Sequence, residues 1–103
     1  MSDLLSISDF MEHVDQLFHV IRETGETVEL RLIEAKPLGL RGALSAAGGR
    51  EPFSLIFRGP FQVGLSQQIH SLKHEAFGEL TLFLVPLGAE GDPEGTHYQA
   101  VFN

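Results

Sequence analysis

The stretch that most constrains the fold runs from Glu51 to Pro86. Its three candidate strand runs are 53–57, 68–74 and 78–85. Proline and glycine bracket the first run, as is typical of strand ends, because proline lacks an N–H group and glycine fits tight turns. The stretch therefore predicts one strand followed by a β-hairpin with the turn Glu75-Ala-Phe-Gly78, and Pro86 is expected to end the hairpin's second arm.

The segment that precedes this stretch predicts a short helix and a second hairpin. Residues 7–14 fit a helix, because Phe10 and Val14 lie four apart on one face. Residues 16–23 are rich in β-branched and aromatic side chains and precede a Thr24-Gly25 turn signal, which favours a strand. The alternative is a single helix over residues 8–22, since Leu17, Phe18 and Ile21 also fit a helical stripe.

The partner strand of that hairpin shows a period of two. Across residues 26–35, Val28, Leu30 and Leu32 face one way, which is typical of a half-buried strand. Residues 36–50 are rich in glycine and alanine and predict a long mobile loop, either a plain surface connection or a functional one.

Near the C-terminus, residues 88–96 are polar and rich in glycine and proline, which predicts a loop. Residues 97–102 form the last predicted strand, with Tyr98, Ala100 and Phe102 on its inner face.

Together these signals predict a mainly β fold of about six antiparallel strands with a short N-terminal helix, in one domain over residues 1–103. Most turns are short, so we expect an antiparallel meander in which successive strands are neighbours. Because sheet twist accumulates, such a sheet curls into a small barrel or folds into two packed layers.

Composition and charge exclude several classes of function. The formal net charge is −7 and the chain has only seven lysines and arginines, so we expect no binding to nucleic acid or to an anionic membrane. The absence of cysteine excludes disulfides and thiolate chemistry. Neither a secretory signal nor an apolar run of membrane-spanning length is recognisable, so we expect a cytoplasmic protein.

The five histidines do not predict a metal site. His70 and His74 lie four apart, which on a strand separates them by about 13 Å, too far for one ion. We expect the histidines to cover surface or to form local hydrogen bonds, and His74 to hold the hairpin turn through a ring N–H.

Catalytic chemistry finds no support in the motifs. The sequence lacks a Gly-x-Ser-x-Gly elbow and a phosphate-binding loop. The oxygen-rich segment 90–94 suggests calcium binding but lacks the spacing of a calcium loop. We therefore expect no cofactor, no metal and no enzymatic activity. Two or three titratable side chains that converge in one cleft would make an enzyme a candidate function again.

Two sets of apolar residues support two hypotheses of function. The first is a protein-interaction or assembly module that self-associates or binds a protein through outward apolar positions, at Ile33, Ile56, Phe83 and Val85. The second is a small barrel that binds an apolar small molecule in a cavity lined by Phe53, Phe57, Leu72, Leu82, Tyr98 and Phe102.

Several segments of the central stretch and the C-terminus also resemble a known family. They are Glu51 to Leu55, Arg58 to Pro60, Leu72 to His74, Phe77 to Gly88, and Tyr98 to Phe102. The pattern resembles a family of small bacterial proteins of about this length and unknown function. The resemblance implies gene neighbourhoods that encode phage-tail-collar-like proteins, and hence a structural or assembly role; it implies no catalytic residues.

Overall fold

A computed structural model describes residues 7–37, 52–61, 64–88 and 92–102 of the chain. Its elements are α1 (Ile7–Met11), β1 (Leu17–Ile21), β2 (Thr27–Pro37), β3 (Phe53–Gly59), β4 (Gln68–His74), β5 (Gly78–Gly88) and β6 (Thr96–Phe102). Neighbouring strands are antiparallel, and the sheet closes into a barrel in the order β1-β2-β3-β6-β5-β4. The predicted mainly β fold with a short N-terminal helix is confirmed, and of the two predicted shapes the barrel is the one that forms.

The alternative of one helix over residues 8–22 is wrong, and α1 is also shorter than predicted. Asp15 has a φ of 78°, in the left-handed region that a continuing helix cannot accommodate. Its N–H donates to the Leu32 carbonyl at 2.6 Å, and the Arg31 guanidinium donates to the Asp15 carbonyl at 2.6 Å. These bonds fasten the link between α1 and β1 to β2.

The predicted meander is wrong in one connection. β1-β2-β3 and β4-β5-β6 are each a meander, but β3 pairs with β6, and β4 pairs with β1 to close the barrel. The chain between β3 and β4 therefore crosses to the other meander. Its described part is fixed by the Leu65 N–H, which donates to Tyr98 Oη at 3.0 Å, and by His70 Nε2, 2.8 Å from the Ser66 carbonyl oxygen.

Pro86 lies inside the strand that it was expected to end. β5 continues through Pro86 to Gly88, where its register against β6 shifts. β2 ends at Pro37, so Lys36 and Pro37 of the predicted loop belong to this strand. Proline is tolerated at such irregularities and strand ends, where its missing N–H is not needed by a neighbour. The rest of the loop predicted over residues 36–50 lies outside the described residues.

The core fills the barrel with the inward side chains of all six strands. The predicted alternation in β2 is confirmed, since Val28, Leu30 and Leu32 are buried. Phe10 of α1 is 0% exposed and joins this core at one end of the barrel. It packs against the rings of Phe77 at 4.7 Å and Phe102 at 5.3 Å. A five-residue helix has little stability of its own, so α1 is held by this contact.

Candidate functional site

The candidate partner residues lie on the outer side of the barrel wall. Phe83 is 49% exposed, whereas Ile33, Ile56 and Val85 are half-buried. Gln99 of β6 pairs with Ile56 on one side and with Val85 on the other, so these residues form one row across three strands. Ile33 is the extra residue of a bulge in β2, beside the Glu34–Ile56 pair.

Two exposed residues that the sequence analysis missed extend this area. Ile69 of β4 is 64% exposed and pairs directly with Phe83. Val101 of β6 is 47% exposed and pairs with Ser54 of β3. Val101 and Phe83 each lie two residues beyond the Gln99–Val85 pair of β6 and β5, and both are exposed. We call Ile33, Ile56, Ile69, Phe83, Val85 and Val101 the outer apolar face.

The outer apolar face is electrically neutral where it crosses the middle of the sheet. On β3, β6 and β5, one row consists of Ile56, Gln99 and Val85. Next to it lie the exposed Phe83 and Val101, whereas Ser54, which pairs with Val101, is buried at 1% exposure. None of these six described residues is charged, in a chain whose net charge is −7. Exposed apolar area that is free of charge is typical of a contact surface.

The predicted cavity-lining residues lie inside the barrel and pack against one another. Phe53, Phe57, Leu72, Leu82 and Tyr98 are buried, and Phe102 is half-buried. The rings of Phe53 and Phe102 stack at 4.6 Å, and Phe57 meets Phe18 edge-on at 5.4 Å. A cleft of about 520 Å³ opens elsewhere, between the β1–β2 turn and β4, and none of the six lines it.

Two of the five histidines, which were expected to cover surface or to form local hydrogen bonds, are buried. His70 and His74 are both buried, because they alternate with the outward Ile69 and Lys73 along β4. The expectation of local hydrogen bonds is confirmed for both. His74 does hold the hairpin turn, but its Nδ1 accepts a hydrogen bond from the Ala76 N–H at 2.9 Å instead of donating one. Within the described ranges, no group of three or more histidine or carboxylate side chains could hold a metal ion.

A polar cluster fastens the loop before β6 to the barrel. His97 Nε2 lies 2.6 Å from Asp92 Oδ2, and the Glu94 N–H donates to Asp92 Oδ1 at 2.9 Å. Arg58 of β3 reaches Asp92 at 3.6 Å and Glu94 at 3.3 Å. The backbone hydrogen bond from Glu94, followed by that from His97, lowers the pKa of Asp92. Both Asp92 oxygens are thus engaged by protein donors; residues 90 and 91 of the suggested calcium segment lie outside the description.

The lowered pKa of Asp92 predicts a contribution to stability that acid removes. At pH values above 3.8, the ordinary pKa of the group, the Asp92 carboxylate stabilises the fold in full. This contribution is lost as the pH falls through the lowered pKa of Asp92 in the folded state. Asp92→Asn is therefore expected to be less stable than the unmodified chain near pH 7, and the difference should vanish in strong acid. Urea unfolding from pH 7 to pH 2 measures it; a difference that stays constant with pH would contradict the assignment.

The fold defines the protein as a small, closed, six-stranded antiparallel β-barrel with a short N-terminal helix that packs on one end. The chain belongs to the family described as domain of unknown function DUF6916, whose model matches residues 5–102. The expectation of a small family of unknown function is thereby confirmed, whereas its bacterial origin and its gene neighbourhood stay predictions. Comparison with curated proteins and with solved structures found no match.

Among the described residues, no helix has the length and apolar character needed to cross a membrane.

Proposed function

We propose that this barrel is a non-enzymatic protein-interaction or assembly module that uses the outer apolar face as its contact surface. The observation that carries the proposal is the directly paired Ile69 and Phe83, both largely exposed on the outside of the wall. In protein interfaces a few side chains in the fully covered centre supply most of the binding energy, and this exposed pair is placed to form such a centre when a partner covers it. Because the barrel is closed, a partner docks on this face and not on a strand edge.

Charge supports the same location. Two copies of a chain of net charge −7 repel each other, and so do this chain and any acidic partner. The neutral row across β3, β6 and β5 is a place where a partner approaches without bringing carboxylates together. The same net charge disfavours nucleic acid as the partner. The implied neighbourhood of phage-tail-collar-like genes in bacteria, a prediction from the resemblance, agrees with a structural role.

The test is native mass spectrometry of the chain purified from its own host, with variants of the paired residues. We expect an oligomer or a co-purified protein for the unmodified chain. Ile69→Ser combined with Phe83→Ser is expected to weaken that complex by about 30-fold or more, since loss of a central apolar contact costs at least about 2 kcal/mol. Both side chains point outward, so the fold is expected to persist.

The matched control is Met11→Ser, which removes a 56% exposed apolar side chain from α1, outside the outer apolar face. It should leave the complex intact. A bare monomer from the unmodified chain contradicts the proposal, and so does equal weakening by the control. A monomer that carries a small apolar adduct would favour the alternative of a ligand-binding barrel, for which the packed Phe53 and Phe102 rings would have to separate.

A further inference from the structure

His74 is held in one tautomer by two hydrogen bonds of opposite sense. The Ala76 N–H donates to His74 Nδ1 at 2.9 Å, so that nitrogen carries no proton. His74 Nε2 lies 2.8 Å from the amide oxygen of Gln16 and donates to it. Both bonds exist together only in the neutral ring with its proton on Nε2. A second proton would have to enter at Nδ1, where it would face the Ala76 N–H.

The surroundings of the ring also oppose a positive charge. Burial lowers the pKa of His74 below its usual 6.5, and His13 lowers it further. Phe18 of β1 stacks on the ring at 4.4 Å and keeps water from that side. His13 meets the ring edge-on at 4.9 Å, and its Nδ1 lies 2.9 Å from the same Gln16 oxygen.

Other titratable groups around the ring make smaller contributions. His19 of β1 also disfavours the charged form, whereas Glu75 in the β4–β5 turn favours it. Lys73 and Glu79, which carry opposite charges, line the cleft that His74 shares with them. These titratable side chains do converge in one cleft, but both ring nitrogens of His74 are engaged by Gln16 and Ala76, so His74 offers no free base there. Burial and the neighbouring histidines outweigh Glu75, so the neutral ring is the one that fits the folded structure.

The ring joins two parts of the barrel end by hydrogen bonds. Through Gln16 it reaches the link between α1 and β1, and through Ala76 it reaches the β4–β5 turn. Phe77 of that turn stacks on Phe10 of α1. By contrast, the backbone bonds of Asp15 and Gln16 to Leu32 fasten the link to β2 without His74.

We propose that His74 is a pH-sensitive latch, whose protonation releases the β4–β5 turn from α1 and exposes the phenylalanine rings between them. A protonated ring loses the bond to Ala76 and places a positive charge beside the His13 ring, 4.9 Å away. The turn then separates, while the link between α1 and β1 stays on β2. Acid therefore uncovers Phe10 and Phe77 as a second apolar surface, distinct from the outer apolar face.

The sign of the pH dependence follows from the lowered pKa. At pH values above 6.5, the ordinary pKa of histidine, the neutral His74 ring fully stabilises the contact between the β4–β5 turn and α1. This stabilisation is lost as the pH falls from 6.5 toward the lowered pKa of His74 in the folded state. The opening equilibrium of the turn is expected to rise by up to about tenfold for each pH unit within that window.

The experiment is NMR of the full chain from pH 7.5 to pH 4.5. Ring nitrogen shifts report the tautomer and charge of His74, and amide exchange, corrected for its intrinsic pH dependence, reports opening. We expect the Nε2–H tautomer at pH 7.5, and faster exchange at Ala76 and Phe77 with the same midpoint as the ring. Exchange at Asp15 and Leu32 should stay slow. A ring protonated at Nδ1 at pH 7.5, or exchange that does not follow the ring, overturns the proposal.

The variant His74→Asn distinguishes the effect of His74 protonation from other effects of acid on the fold. His74→Asn places an amide oxygen near the position of Nδ1, where it accepts from Ala76 but does not titrate. It is expected to remove the pH dependence of exchange at Ala76, whereas His97→Asn, at the Asp92 cluster, should keep it. Undiminished pH dependence in His74→Asn overturns the proposal; if that variant does not fold, the comparison of midpoints in the unmodified chain decides.

Discussion

Phe10→Ala is expected to lower the free energy of unfolding by about 3–5 kcal/mol, as is usual when a buried phenylalanine is truncated. Phe10 is 0% exposed and touches the rings of Phe53, Phe77 and Phe102. None of these rings can fill the space without leaving strands that pair on both sides or a turn that His74 holds. For a domain whose total stability is of the order of 5–15 kcal/mol, such a loss is large.

Urea unfolding measures this loss, and Met11→Ala is the matched control. Met11 is the next residue of α1 but is 56% exposed, so its truncation should change the free energy of unfolding by less than about 0.5 kcal/mol. If the two variants were equally stable, α1 would not contribute to the core, and the packing at this end of the barrel would be wrong.

Gly95→Ala is the second substitution with a large expected effect. A Cβ atom at Gly95 would collide with the backbone carbonyl oxygen of Gly59 and lie 2.8 Å from Arg58 Cγ. The carbonyl belongs to β3, which is paired with β6 at this point, so the backbone cannot yield without disturbing the pairing of Gly59 with Thr96. Overpacking of this kind costs about 1–3 kcal/mol, and more where backbone must move.

Gly64→Ala is the control for Gly95→Ala, because nothing lies within 4 Å of a Cβ built at Gly64. Its free energy of unfolding should be unchanged or raised by up to about 1 kcal/mol, since alanine reduces the freedom of the unfolded chain. Chemical denaturation of both variants provides the comparison. Equal stabilities would show that the approach between Gly95 and Gly59 is not close in solution.

Local patterns in the sequence predicted the strands well but not their neighbours. The alternation of Val28, Leu30 and Leu32 indicates a buried face because side chains of a strand point alternately to its two sides. Nothing local in the segment between β3 and β4 indicates that it crosses to the other meander. That path is fixed by Tyr98, far along the chain, whose hydroxyl accepts from Leu65.

The sequence predicted only part of the outer apolar face, because the orientation of a strand residue also depends on its neighbours in the fold. Phe83 was identified because it follows the inward Leu82 along its strand and therefore points outward. Ile69 was missed because its neighbour His70 is polar, and polar residues normally face water. His70 instead faces the core and satisfies its ring through Ser66. Val101 could have been identified from the inward assignment of Tyr98, Ala100 and Phe102, which leaves it on the outside.

The two meanders make the barrel a closed ring of two halves, and this has a consequence for how it forms. Within each half, strands meet across connections that are local in sequence, whereas β1 meets β4 through pairs such as His19 with Lys73. Loop-closure entropy makes contacts between such distant residues slow to form. Each meander is therefore expected to form first, and the two meanders are expected to pair with each other last. Because β1 and β4 share only three residue pairs, we expect the barrel to open at this strand pair first.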